Sequence, residues 1–228
     1  MIARIASLGD STSCGEGVGL RVPSGSTWPA RLAAACPGSE LIPLAAPGSR
    51  LRDLCTGQLE AALSADADVF TVLIGLNDVS RAGFDRRTFA ADLAEVVVAL
   101  RSTGGLVLLG RLHDVTAVLP LPPGLRDAVR ARTAQVNEAV DACAGDRVHL
   151  MDLTAVAGHA LIAQAAARVL RQAGCRVGPV RQPRLPDAPG PAKEAWWLLR
   201  HGLPWFGSHL PQVVLPAVGA TLRRGHRA

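Results

Sequence analysis

The chain has 228 residues, 49% of them hydrophobic and 19% charged. That is enough for one sizeable core and is the composition of a folded globular protein, which excludes a wholly disordered chain. The net charge of +5 is spread along the sequence, with one lysine (Lys193) and no basic run of five residues; a solvated basic surface is expected, not nucleic-acid binding.

In chain order, Ile2 to Leu8 is a short apolar run containing Arg4, and it leads straight into Gly9-Asp10-Ser11. It reads as a first strand and not as a signal peptide. Trp28 to Cys36 reads as a helix opened by Ser26 and Thr27 and closed near Pro37-Gly38. Glu40 to Leu44 is a weak second strand. Arg50 to Leu63 reads as one helix, with Leu51, Leu54, Leu59 and Leu63 as its apolar positions. Val69 to Ile74 is almost continuously apolar, as suits a strand covered on both faces. Then follow a helix over Phe89–Leu100, a strand over Leu106–Leu109, a long helix over Leu125–Ala142, a fifth strand over Val148–Leu153 and a helix over His159–Leu170.

Strand and helix thus alternate five times. This predicts a three-layer α/β/α fold with a five-stranded parallel sheet and right-handed crossovers. Ligands of such sheets bind at the carboxyl ends of the strands. The main domain is expected over residues 1–175. Residues 176–191, with prolines at 179, 183, 186, 189 and 191, read as a linker, and residues 192–228 as a helical extension carrying Trp196, Trp197, Trp205 and Phe206. Packing of the extension on its own domain is the reading preferred over contact with an anionic membrane surface. Five cysteines without a C-x-x-C pair point to reduced thiols in a cytoplasmic protein, and no apolar run is long enough for a transmembrane helix.

Three short segments carry chemistry. Gly9-Asp10-Ser11 ends the first strand, where a serine hydroxyl can stand beside a backbone N–H. Pro47-Gly48-Ser49 follows the second strand, and its glycine permits close backbone approach. Gly75-Leu76-Asn77-Asp78 follows the third, offering an asparagine amide as a donor to an oxyanion. Each alone is ordinary turn punctuation; together they put three such groups at the ends of three strands. Gly15-x-Gly17-x-Gly19 lacks the spacing and the lysine of a phosphate loop.

In these blocks the chain resembles the SGNH (GDSL) hydrolases. Ser7-Leu8-Gly9-Asp10-Ser11-Thr12 is similar to the family's first block, Leu44-Ala45-Ala46-Pro47-Gly48 to the second and Gly75-Leu76-Asn77-Asp78 to the third. The resemblance covers about residues 1 to 175 and implies a flavodoxin-like fold and hydrolysis of a small acyl ester without metal or organic cofactor. It implies Ser11 as nucleophile, Asp10 as a supporting residue, and an oxyanion hole of the Ser11 and Gly48 N–H groups and the Asn77 side chain.

The last block departs from the family. Its Asp-x-x-His follows the fifth strand, whereas here Asp152-Leu153-Thr154-Ala155 carries alanine in the histidine's place, and Gly158-His159 matches a later Gly-His pair. One reading makes His159 the base, oriented by Asp152; another makes the site a degenerate one that binds ligands. His149, three residues after Asp146, and His113, beside Asp114, are further candidates. His201, His209 and His226 lie in the tail.

Overall fold

The computed structural model describes residues 2–17, 20–114, 116, 122–155 and 158–181. Five parallel strands form the main sheet: β1 (Arg4–Gly9), β4 (Glu40–Pro43), β5 (Val69–Leu73), β6 (Leu106–Arg111) and β7 (Val148–Asp152), in the order β4-β1-β5-β6-β7. Two-residue strands β2 (Glu16–Gly17) and β3 (Leu20–Arg21) pair antiparallel beside it. The helices are α1 (Ser11–Cys14), α2 (Trp28–Ala35), α3 (Leu51–Gly57), α4 (Leu59–Leu63), α5 (Leu76–Ser80), α6 (Arg86–Ser102), α7 (Pro123–Ala142) and α8 (His159–Gln172).

The strand order explains where the site lies. From β1 the chain crosses to β4 on one side, then returns past β1 to β5, β6 and β7. Right-handed crossovers therefore put α2 on one face and α3, α4, α6 and α7 on the other, and α8 closes the first face by packing on α2. The reversal of direction occurs at β1, so the switch point falls at Ser11. The central strand β5 is buried at all five positions, as its unbroken apolar run requires. Ile5, Leu8, Trp28, Phe70 and Leu108 are fully enclosed in the core.

Two expectations change. The helix expected over Arg50–Leu63 breaks in two at Gln58, whose buried side chain turns to the end of β1. Residues 176–181, expected to open a linker, are tied to the domain instead. The Gly178 N–H donates to Ala35 O at 2.7 Å, Arg171 donates to Val177 O and Gly178 O, and Arg31 reaches Arg181 O. The remainder of that linker and the helical extension lie outside the described residues. Among the described residues no helix is long and apolar enough to cross a membrane, and all five cysteines are unpaired.

Candidate active site

The three blocks converge on one hydrogen-bonded junction. Gly9, at φ +142°, closes β1; a Cβ there would stand 2.2 Å from Leu73 O, so only glycine permits β1 and β5 to meet at this point. Asp10 then caps α1, its carboxylate accepting from Thr12 N at 2.9 Å, and Ser11 opens that helix half-buried. The Gln58 amide fastens the first block to the second: it accepts from Gly9 N at 2.8 Å and donates to Gly9 O at 2.9 Å and Ser49 Oγ at 3.2 Å.

The third block joins the other two through Asn77. Its Nδ2 donates to Asp10 Oδ2 at 3.3 Å and to Ser49 O at 3.0 Å. Asp78 turns the other way and accepts from Leu51 N at 3.3 and 3.2 Å, anchoring the start of α3. Both carboxyls are held above their ordinary range. For Asp10, burial dominates over the bonds from Thr12 and Asn77. For Asp78, burial lifts the value to about 6 against the pull of the Leu51 N–H and Arg50. The junction thus sets a serine hydroxyl, a left-handed glycine (Gly48, φ +73°) and an amide at the carboxyl edge, the parts that nucleophilic attack on a carbonyl uses.

The expected histidine–aspartate pair is not brought together. His159 opens α8, and its Nδ1 accepts the backbone N–H of Trp28, the first residue of α2, at 3.0 Å. An imidazole that accepts at Nδ1 carries its proton on Nε2 and has no lone pair left for a base. Burial and, after it, Arg31 hold its pKa below 6.5 and favour this neutral form. Asp152 instead ties the turn after β7, its Oδ1 accepting from Thr154 N at 3.0 Å and Thr154 Oγ1 at 2.6 Å, with Arg111 Nη1 3.9 Å from Oδ2. The physical reason is the short connection between β7 and α8: His159 begins the last helix and satisfies an orphan donor of its neighbour.

His149 is not at the edge either. It pairs in register with Leu108, which pairs with Thr71, which pairs with Ser7. It therefore lies below Ser11 in the sheet and three strand spacings from β1, about 14 Å. His113 does reach the carboxyl edge, two residues past β6 and half-buried. The strand end before it is clamped by Asn137, which accepts from Leu112 N at 2.7 Å and donates to Leu112 O at 3.0 Å. Burial holds the His113 pKa below its ordinary value, against Asp114. Asp114 itself is bound to Thr116 and Arg130.

The model of the GDSL-like lipase/acylhydrolase family matches residues 7–174. The chain belongs to that family. Solved structures share the fold: a lipolytic protein of the G-D-S-L family from Veillonella parvula (19% identity, TM-score 0.60, covering 75% of this chain and 99% of its own), the acetylxylan esterase Axe2 from Geobacillus stearothermophilus (19%, 0.57, 74% and 94%), and TesA (21%, 0.51, 65% and 77%). No curated protein sequence matches the chain. Among the described residues there is no cluster of three or more His, Cys, Asp or Glu suited to a metal ion.

Gln58, Arg81 and Asn137 escaped the sequence reading. A lone glutamine or arginine in a helical stretch has no spacing signature, and only the fold shows what it touches.

The role of His159 gives a testable outcome. His159→Ala is expected to cost about 1–2 kcal/mol, the value of an acceptor at a helix start, and His159→Gln to recover part of it through its amide oxygen. Because the folded state holds this pKa below the unfolded 6.5, its contribution is present above pH 6.5 and lost as pH falls toward the folded value. Thermal unfolding of the three proteins from pH 5 to 8 checks this. Equal stability of His159→Ala and wild type at pH 8 contradicts it.

Proposed function

We propose that this chain is a serine ester hydrolase acting on a small carboxylic ester. Ser11 Oγ attacks the ester carbonyl, and the Ser11 N–H, Gly48 N–H and Asn77 Nδ2 receive the oxyanion. The alcohol departs, leaving an acyl group on Ser11, and water then attacks that ester to release the acid. The observation that supports this most is the Asn77 amide, which bonds the Asp10 carboxylate and the Ser49 carbonyl at once and so ties together the three blocks from which the donors come. Fold neighbours that include an acetylxylan esterase agree with ester chemistry. The unpaired thiols support a reducing compartment such as the cytoplasm.

For the base we assign His113 in place of the Asp152–His159 pair. It takes the Ser11 proton as the bond to carbon forms and returns it to the departing alkoxide. Its place in register, about two strand spacings or 10 Å between backbones, is within the combined reach of the two side chains with one bridging water. Burial keeps it neutral near pH 7, the form a base needs. Rate should therefore rise with pH through a value below 6.5, and His113→Gln should abolish that limb.

A second reading, a ligand-binding relative without turnover, is favoured by one observation: the base-orienting pair expected beside Ser11 is not formed. A fluorophosphonate probe with mass-spectrometric mapping, run beside p-nitrophenyl acetate hydrolysis, separates the two. Labelling at Ser11 with turnover supports the enzyme, and neither supports the binding protein.

A further inference from the structure

We infer that Arg81 is a positioning residue for the Gly48 N–H, an inference that rests on the oxyanion role proposed for Gly48. Arg81 follows α5, and its Nη2 donates to Gly48 O at 3.2 Å. The same nitrogen stands 3.5 Å from where a Cβ of Gly48 would be, so a side chain at this position would meet the guanidinium.

Gly48 needs such external support. Its φ of +73° lies in the left-handed region, where glycine has no Cβ to restrict it and many neighbouring conformations are open. The direction of its N–H is set by φ and by the peptides on either side. Two successive carbonyls of this turn are held by the same segment: Arg81 takes Gly48 O, and Asn77 Nδ2 takes Ser49 O at 3.0 Å. One donor of the proposed hole thus braces the turn that presents another, and Arg81 supplies the second brace.

The brace is itself anchored. Arg132, on α7, donates to Val79 O at 3.1 Å and Arg81 O at 3.0 Å, closing the carboxyl end of α5 with a half-buried guanidinium. The chain of contacts runs from α7 through α5 and the Arg81 side chain to the Gly48 carbonyl. Arg81 makes no ion pair with a described carboxylate, and its one side-chain hydrogen bond among the described residues goes to this turn. It also lines a cavity of 220 Å³, with Arg50, Asp78 and Phe84 among its walls; shortening the side chain opens this space to a small cation.

A planar guanidinium gives directed donors where an ammonium gives a mobile point charge. Arg81→Ala is therefore expected to lower kcat for p-nitrophenyl acetate about ten- to hundredfold, the range for misplacing a catalytic group by an ångström or less. KM should stay within about twofold, since a donor to the oxyanion acts mainly on the transition state. Arg81→Lys should restore only part of the loss, and added guanidinium ion should restore activity to Arg81→Ala but not to Ser11→Ala. Retention of kcat within about twofold overturns the inference. So does a loss that follows a fall in Tm and is recovered by neither lysine nor guanidinium.

A second readout needs no turnover. In ¹⁵N-labelled protein the Gly48 amide resonance should move and its hydrogen exchange quicken in Arg81→Ala; an unmoved, equally protected amide overturns the inference. If the wild type neither hydrolyses the ester nor labels at Ser11, the hydrolase reading fails by itself. The Gly48 amide then still decides whether Arg81 holds the turn.

Discussion

Ser11→Ala is expected to lower ester hydrolysis at least about a thousandfold, with the fold intact. At half-buried Ser11 the loss of chemistry and the loss of stability separate. The Ser11 hydroxyl makes no hydrogen bond to another described residue, so its loss leaves no partner unsatisfied. The turn around it is built without it: Asp10 caps α1, Gly15 N closes the helix on Ser11 O at 2.9 Å, and Gln58 holds Gly9 from the other side. The Tm should therefore stay within about 2 °C, since exposed or half-buried changes of this kind are worth about 0.5 kcal/mol. The measurement is p-nitrophenyl acetate turnover beside thermal unfolding, with fluorophosphonate labelling as the direct test of the hydroxyl. Activity that survives the substitution would remove Ser11 as nucleophile and with it the proposed reaction. Hydrolysis that disappears only because the protein unfolds would say nothing for it, and the Tm detects that case.

The sheet was legible because its signal is physical and repeated. Val69 to Ile74 had to be a strand covered on both faces, and the structure buries all five residues of β5. Thr27 is the cap of α2, its hydroxyl accepting from Ala30 N, much as the Ser26-Thr27 pair foretold. The two-residue strands β2 and β3 had no period to read. The break at Gln58 was hidden because Leu51, Leu54, Leu59 and Leu63 fit one amphipathic helix; what divides it is a distant partner, Gly9, 49 residues away. At the site, the three blocks were readable as residue types at strand ends, and the sheet does bring them to one edge.

The expected Asp152–His159 pair does not form, for a different reason. Spacing along the chain placed Asp152 and His159 near each other in sequence, but hydrogen-bond demand decides what each one does. Trp28, fully buried, presents a first-turn N–H that no intrahelical carbonyl can take, and His159 is what meets it. The sequence-adjacent Thr154 offers Asp152 two donors at lower cost than a loop folded back toward His159.

Asn77→Ala is expected to cost about 100- to 1000-fold in kcat, the range for losing one oxyanion donor, and unlike Ser11→Ala it should also lower stability. In the resting protein both Nδ2 hydrogens are engaged, one with Ser49 O at 3.0 Å and one with Asp10 Oδ2 at 3.3 Å. The proposed oxyanion takes over one of them, and the longer bond to Asp10 is the one to yield. In the proposed reaction Asp10 aims the amide beforehand and releases it as charge develops on the substrate. Truncating Asn77 leaves a buried carboxylate, already held above its ordinary pKa by burial, with one donor fewer; the Asp10 pKa should rise further. Asn77→Asp keeps the shape but sets a third carboxyl against Asp10, a group that Asp78 already repels, and should destabilise the protein more than alanine does. The ordering expected in Tm is wild type above Asn77→Ala above Asn77→Asp. The gap between the last two should narrow as pH falls below about 6, where Asp78 takes up its proton. Equal Tm for the two variants at pH 8 would contradict the carboxylate cluster, and a kcat for Asn77→Ala within about threefold of wild type would contradict the donor role.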